Sequence, residues 1–225
     1  MPAGVSFVIP VLNEGDHISN LLRRLRSTYP EAELVVVDGG SGDDTVPQAM
    51  PLCDVLLLGE RGRASQMNLG GRAARREYLL FLHADSFPGV SGPRLADYLA
   101  DRPQWGFCRV RLSGSAAAFR VIEWFMNLRS TVTGIATGDQ MLFLRRELFE
   151  ETGGFEPIPL MEDIAYCRRL RRVATPRALR EPVVTSSRRW ESRGIVRTVL
   201  QMWGLRLAYF LGASPARLWQ HYYGR

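Results

Sequence analysis

The sequence predicts an α/β fold: a doubly wound, mostly parallel sheet with flanking helices. Two observations carry this. Short apolar runs alternate with helical patterns through the first half of the chain, as in βαβ units. Three of the runs stop abruptly in carboxylate, amide or glycine: Ser6–Glu14 (SFVIPVLNE), Leu34–Thr45 (LVVVDGGSGDDT) and Tyr78–Asp85 (YLLFLHAD). Parallel strands buried on both faces read as continuous apolar segments. Ligands of open α/β sheets bind beyond the carboxyl ends of those strands.

Val5–Val11 reads as the first strand, and Ile18, Leu21, Leu22 and Leu25 then recur at helical spacing, with Asn13 or Asp16 able to cap the helix. Leu34–Asp38 is a second strand, Thr45–Met50 a short helix, Val55–Leu58 a third strand, Arg63–Arg76 a helix and Tyr78–His83 a fourth strand. In the second half Ala116–Arg129 reads as helix, Gln140–Leu144 as extended, and Glu162–Arg172 and Ile195–Leu211 as helices. The loops around Gly134–Gly138 and Gly153–Pro159 are rich in Gly and Pro, which suits chain that bends around a ligand. The expected organisation is one domain over 1–225: a binding half at 1–112, a second half at 113–192 and a helical tail at 193–225.

Composition excludes several chemistries. All 29 basic residues are arginine, so a P-loop lysine, a pyridoxal Schiff base and a lysine nucleophile are ruled out. The formal charge of +6 points to anionic partners such as nucleotide phosphates, a lipid surface or nucleic acid. The arginines are spread along the chain and no aromatic stacking motif accompanies them, which argues against nucleic acid. Cys53, Cys108 and Cys167 form no CxxC pair and no zinc spacing, so a reducing cytoplasm is expected. The Val5–Leu12 run is too short for a secretory signal. Ile195–Ala213 is the most apolar later stretch, but Arg197 and Arg206 interrupt it. It reads as an amphipathic helix, either packed on the domain or seated on anionic lipid.

DGGSGDDT follows the second strand but lacks GxGxxG, and Asp43 and Asp44 would repel a pyrophosphate. They read instead as the start of the next helix. Asp38, at a strand end, can accept hydrogen bonds from a nucleobase or ribose. Gly62–Gly71 begins a helix with Arg63, Gln66 and Asn68, groups able to meet anionic or uracil-like partners.

The IPVLNE strand, the VVVDGGSGDDT turn, the HAD triplet and GGF followed by ED resemble family 2 glycosyltransferases of the GT-A fold, in order and over nearly the whole chain. The Gly62–Gly71 stretch also resembles a short bacterial subgroup labelled as arsenosugar-biosynthesis-type transferases. The resemblance implies that Pro10, Asn13, Glu14 and Asp38 line the base and ribose pocket of a nucleotide-sugar, a UDP-sugar being favoured. It makes Asp85 the carboxylate that holds Mg²⁺ or Mn²⁺ against the donor diphosphate. His83 departs from the usual Asp-x-Asp, and an imidazole ligand suits Mn²⁺ better than Mg²⁺; its other reading is a residue that only hydrogen-bonds near the metal.

The resemblance makes Asp163, second of the Glu162–Asp163 pair, the general base, with inversion as the stereochemical outcome. Arg188-Arg189-Trp190 is similar to the QxxRW element of processive relatives, but Ser186 stands in place of Gln, which favours transfer of a single sugar. Arg189 would clamp phosphate; Trp190 would wall the acceptor site or pack in the core. Asp139 and Gln140 are expected to face the acceptor, together with Glu162.

The expected function is therefore metal-dependent, inverting transfer of a sugar from a nucleoside diphosphate to a hydroxyl acceptor, either a small molecule or lipid-linked. A non-catalytic nucleotide-sugar binder is the principal alternative, because His83 breaks the acidic triplet. A nucleotidyltransferase is a weaker one, since PVLNEGD lacks a glycine-rich basic loop.

Overall fold

The computed structural model describes residues 4–224, with the side chains of Arg189 and Arg193 outside that description. The first half follows the expected order: β1 (Val5–Val11), α1 (Gly15–Thr28), β2 (Glu33–Asp38), α2 (Thr45–Ala49), β3 (Val55–Leu58), α3 (Arg63–Ala73) and β4 (Tyr78–Phe81). β1 pairs in parallel with β2 and β4, and β2 in parallel with β3. The carboxyl ends of these four strands therefore share one edge.

Alternation along β1 splits the core into two layers. Phe7, Ile9 and Val11 join Ile18, Leu22 and Leu25 of α1 on one face, while Val8 joins Val35, Val37 and Met67 on the other. α3 comes unusually close to the sheet. A Cβ on Gly70 would lie 2.5 Å from Val8 Cγ1, and one on Gly71 2.5 Å from Phe149 Cζ. Gly70 is a spacer that lets α3 pack on the sheet, and Gly71 one that lets it pack on the helix carrying Phe149.

The second half adds β5 (Ser86–Pro88), α4 (Gly92–Ala100), β6 (Trp105–Leu112), α5 (Ala117–Thr133), a 3-10 turn at Gly138–Gln140, β7 (Leu142–Arg145) and α6 (Arg146–Thr152). Then come α7 (Glu162–Leu170), β8 (Arg177–Thr185), α8 (Arg188–Arg193), α9 (Ile195–Phe210) and α10 (Pro215–Tyr223). All strands form one sheet in the order β3-β2-β1-β4-β7-β6-β8-β5. β7 runs antiparallel to both β4 and β6, so the sheet is parallel on one side and mixed on the other. Composition alone hid β6 and β8. Yet Arg109 and Arg111, both exposed, alternate with buried Val110 and Leu112, the period-2 signature of a strand with one wet face.

Helix capping differs from expectation. Neither Asn13 nor Asp16 caps α1; Glu14 holds the cap position without a side-chain hydrogen bond, and Asp43 supplies the acceptor across 28 residues, taking Gly15 N at 3.0 Å. The same carboxylate accepts the Thr45 amide at 3.0 Å at the start of α2. One exposed acid thus caps two helices, and these hydrogen bonds, the Thr45 side chain first, hold its pKa below the ordinary value.

Substitution separates the spacer glycines from an ordinary one. Gly70→Ala or Gly71→Ala should cost about 1–3 kcal/mol through overpacking, lowering Tm by several degrees. Gly204→Ala, in α9 with nothing within 4 Å of the added Cβ, should raise Tm slightly through helix propensity. Thermal denaturation followed by circular dichroism checks both.

Candidate active site

Two loop systems meet at the shared strand edge. The first is cross-linked by its own polar groups. Asn13, at a left-handed φ of 55° that asparagine tolerates, donates its amide to Ser41 Oγ at 2.8 Å and accepts Gly42 N on Oδ1 at 2.9 Å. Glu14 N donates to Thr45 Oγ1 at 2.7 Å. Gln66 lies beneath them, its Nε2 donating at 2.8 Å to both Val11 O and Val37 O and so tying the ends of β1 and β2 together.

Three of the expected donor residues also hold the protein's own backbone. Gln66 is 5% exposed and spends its amide on the two strand ends. Asn68 is committed on both sides to the Phe155 backbone, donating to its carbonyl at 2.8 Å and accepting its amide at 2.7 Å. Asp38 is 3% exposed, and its carboxylate accepts Gly40 N, Ser41 N and Ser41 Oγ. All three shape the loops rather than reach outward. Pro10 is half-buried within β1, and Asn13 remains exposed.

Asp85 stands exposed just beyond β4. Its carbonyl accepts Ser186 N at 3.2 Å, and Ser86 pairs with Thr185, so the β8–α8 junction lies beside it. The Glu14 carboxyl is raised above its ordinary pKa by burial and by the charge of Asp85, with His17 and Arg188 opposing. His17, on the first turn of α1, was absent from the sequence reading; its Nε2 lies 2.6 Å from Arg188 Nη1. It follows Glu14 by three residues, which is the helical spacing that could have revealed it. Trp190 is half-buried, and the Arg189 side chain lies outside the described residues.

The exposed Asp85 can supply one carboxylate to a hard divalent cation, with the other positions left to ligand oxygens and water. Among the described residues no three acidic, His or Cys side chains gather into a metal cluster. His83 is set deeper than Asp85. Its Nε2 is buried without a hydrogen-bond partner, its ring packs where a Cβ of Gly138 would be, and its Nδ1 lies 3.7 Å from Asp139 Oδ1. It belongs to the second loop system.

That second system is a narrow cleft lined by Arg63, Phe81, His83, Gly138, Glu162 and Asp163, with a cavity volume of about 10 Å³, room for one water. Met161, at a left-handed φ of 69°, turns the chain into α7 and places Glu162 and Asp163 in its first turn. Asp163 Oδ2 accepts Gly138 N at 2.8 Å, and Oδ1 accepts Ile164 N at 2.7 Å. Burial raises the Asp163 carboxyl, with the two amides and Arg63 opposing. Burial and the adjacent Asp163 raise Glu162, whose Oε1 lies 3.8 Å from Arg63 Nη1.

Asp139 lies beside the cleft through His83, and Gln140 is turned away from it. Gln140 is 0% exposed, and its amide engages Ser130 Oγ, Thr137 N and Cys108 O. It closes a reciprocal cap with Thr137 that sets the 3-10 turn. The acceptor contact expected of it is corrected to that structural one.

The family model described as Glycosyl transferase family 2 matches residues 6–151. Among curated proteins, a poly-beta-1,6-N-acetyl-D-glucosamine synthase of Staphylococcus epidermidis is 31% identical over 90 residues, 37% of this chain and 22% of that protein. The chain thus spans about a fifth of the length of that relative. Among solved structures, Staphylococcus aureus TarS 1-349 superposes with a TM-score of 0.63 at 18% identity, covering 81% of this chain and 60% of that one. Mannosyltransferase PcManGT from Pyrobaculum calidifontis, solved with GDP-Man and Mn²⁺, gives 0.59 at 24% identity, covering 81% and 56%. These likenesses identify the fold as GT-A.

The raised pKa of Glu162 has a stability consequence. The unfolded chain releases this proton at lower pH than the folded chain does, so rising pH between the two values favours unfolding. The Tm of Glu162→Gln relative to the native chain should therefore increase as pH rises from the ordinary carboxylate range, measured by calorimetry across a pH series.

Proposed function

We propose that this chain, which belongs to glycosyl transferase family 2, moves a sugar from a nucleoside diphosphate to a hydroxyl acceptor, with inversion and a divalent cation. The observation that carries the reading is the position of Asp163. Its carboxyl is desolvated, held by the Gly138 and Ile164 amides, and set in a water-sized cleft on the strand edge that also carries Asp85.

In this reading the acceptor hydroxyl enters the cleft and gives its proton to Asp163 as its oxygen attacks the anomeric carbon. Burial raises the basicity of the carboxylate, which favours the transfer. The charge of Arg63 opposes the rise that burial imposes on the Glu162 and Asp163 carboxyls and so favours their ionised forms. A single base acting opposite the leaving group inverts the anomeric centre. Asp85 would hold Mg²⁺ or Mn²⁺, which offsets charge on the diphosphate. Arg188 and Arg189 sit next in chain to the Ser186–Asp85 contact and would meet the same phosphates.

The exposed Asn13 and the half-buried Glu14 would face the base and ribose, and a UDP-sugar is the favoured donor. Residues 1–112 supply the donor loops, 113–192 the base and acceptor side, and 193–225 a helical tail. Asp139 and Trp190 would border an acceptor that is a small molecule or a lipid-linked hydroxyl. The proposed place of work is the cytoplasm.

A thermal-shift panel of UDP-, GDP-, dTDP- and CDP-sugars, with and without Mn²⁺ or Mg²⁺, tests donor binding. A metal-dependent shift with one base supports the reading, and no shift with any donor counts against it. Asp163→Asn should lower kcat by about 10²–10⁴-fold while donor affinity holds, whereas Asp85→Ala should weaken the metal-dependent part of donor binding. The rate should fall as pH drops through a value above that of an ordinary aspartate, because protonated Asp163 cannot accept the acceptor's proton. Steady-state kinetics against pH reads this limb directly.

A further inference from the structure

Two helices present apolar stripes to solvent. On α5, Val121, Trp124, Phe125, Leu128 and Val132 are 44–75% exposed and recur at helical spacing. On α9, Val196, Leu200, Trp203, Leu207, Phe210 and Leu211 are 54–79% exposed at the same spacing. Each helix buries its other side. Phe119, Glu123 and Ser130 of α5 face inward, and so do Thr198 and Leu205 of α9. A stripe of this length has no intramolecular reason to face water.

The two helices share anchors at both ends. Near their starts, Ser113 Oγ lies 3.1 Å from Ser187 Oγ, which donates to Glu191 Oε1 of α8 at 2.8 Å, and α8 leads directly into α9. Near their ends both meet α7 and the turns after it. A Cβ on Gly134 would lie 3.2 Å from Arg171, and Arg168 lies over the Phe210 ring at 5.8 Å. Both therefore run from the strand edge that carries the candidate active site toward α7.

Charge selects the occupant. Residues 192–225 contain Arg193, Arg197, Arg206, Arg217 and Arg225 and no Asp or Glu. The one acid of α5, Glu123, is 8% exposed and pairs with Arg120 at 3.0 Å. Trp124, Trp203 and Trp219, three of the five tryptophans, are exposed on α5, α9 and α10. Exposed Trp with Arg and no free acid is the chemistry of the headgroup region of an anionic bilayer. Among the described residues no helix is long and apolar enough to cross a membrane, so the contact lies in the interface.

We propose that the α5 and α9 stripes together seat this chain on an anionic lipid surface, with the arginines of the tail meeting headgroup phosphates. The proposal stands apart from the catalytic reading, because its test needs no donor and no turnover.

The test is flotation of the full chain with vesicles of phosphatidylcholine alone or mixed with phosphatidylglycerol, at low and high salt. The native chain should float with the anionic vesicles and bind neutral ones roughly tenfold less, with salt narrowing the difference. Trp124→Glu on α5, Trp203→Glu on α9 and Arg197→Glu should each cut anionic binding by roughly tenfold. Unchanged melting curves would show that these variants remain folded. Absence of flotation with either vesicle, or equal flotation with both, overturns the proposal. So does light scattering that shows a stable dimer made monomeric by Trp203→Glu, since the stripes would then serve a second copy of the chain.

Discussion

The pairing of β4 with β7 is the constraint on which the site depends. Phe81 lies opposite Leu142 in antiparallel register, so the chain entering β7 must arrive at the edge where β4 leaves. That brings the Gly138–Gln140 turn against His83 and within hydrogen-bonding distance of Asp163. A parallel β7 would have placed its leading turn at the opposite edge. Gly106 tightens the next joint, where β6 sits between β7 and β8, since any Cβ there would strike both Arg177 O and the Phe143 ring. The sheet departs from parallel order at the place where its chemistry has to be assembled.

The electrostatics follow from that joint. Burying two adjacent carboxylates is costly unless each is compensated. Here the compensation is divided: backbone amides serve Asp163 and Arg63 serves Glu162. Neither compensation is complete, and both carboxyls stay above their ordinary values.

The parallel half of the fold was legible because its strands are buried on both faces and end in conspicuous polar residues. The mixed half was not. β5 is three residues long, and β8 alternates exposed and half-buried positions that resemble loop. Site residues divided along the same line. Motif position singles out Asp85 and Asp163, which the structure sets beyond β4 and in the cleft, but the partners of Gln66, Asn68 and Gln140 could not be assigned by type. An amide is equally suited to a ligand and to a neighbouring backbone. Only the fold reveals that Val11, Val37, Phe155 and Cys108 had already claimed them. The cap of α1 was missed for a related reason, since Asp43 lies 28 residues away in sequence.

The small size of the cleft bears on what the acceptor must be like. A cavity of about 10 Å³ seats one hydroxyl and no more of a sugar or alcohol. Its inner wall is fixed, because Phe155 is held by both hydrogen bonds of Asn68 and cannot withdraw without breaking them. On the proposed reading, the body of the acceptor therefore rests outside, at the mouth formed by Arg63 and Asp139. Tyr223 lies near enough to Arg63, and Tyr209 near enough to Asp163, for their charges to interact, which sets the α9–α10 tail beside that mouth. On that proposed reading, acceptor selection would fall to surface residues of the tail, beyond the 6–151 span of the family match, and the buried acids would handle only the reacting hydroxyl.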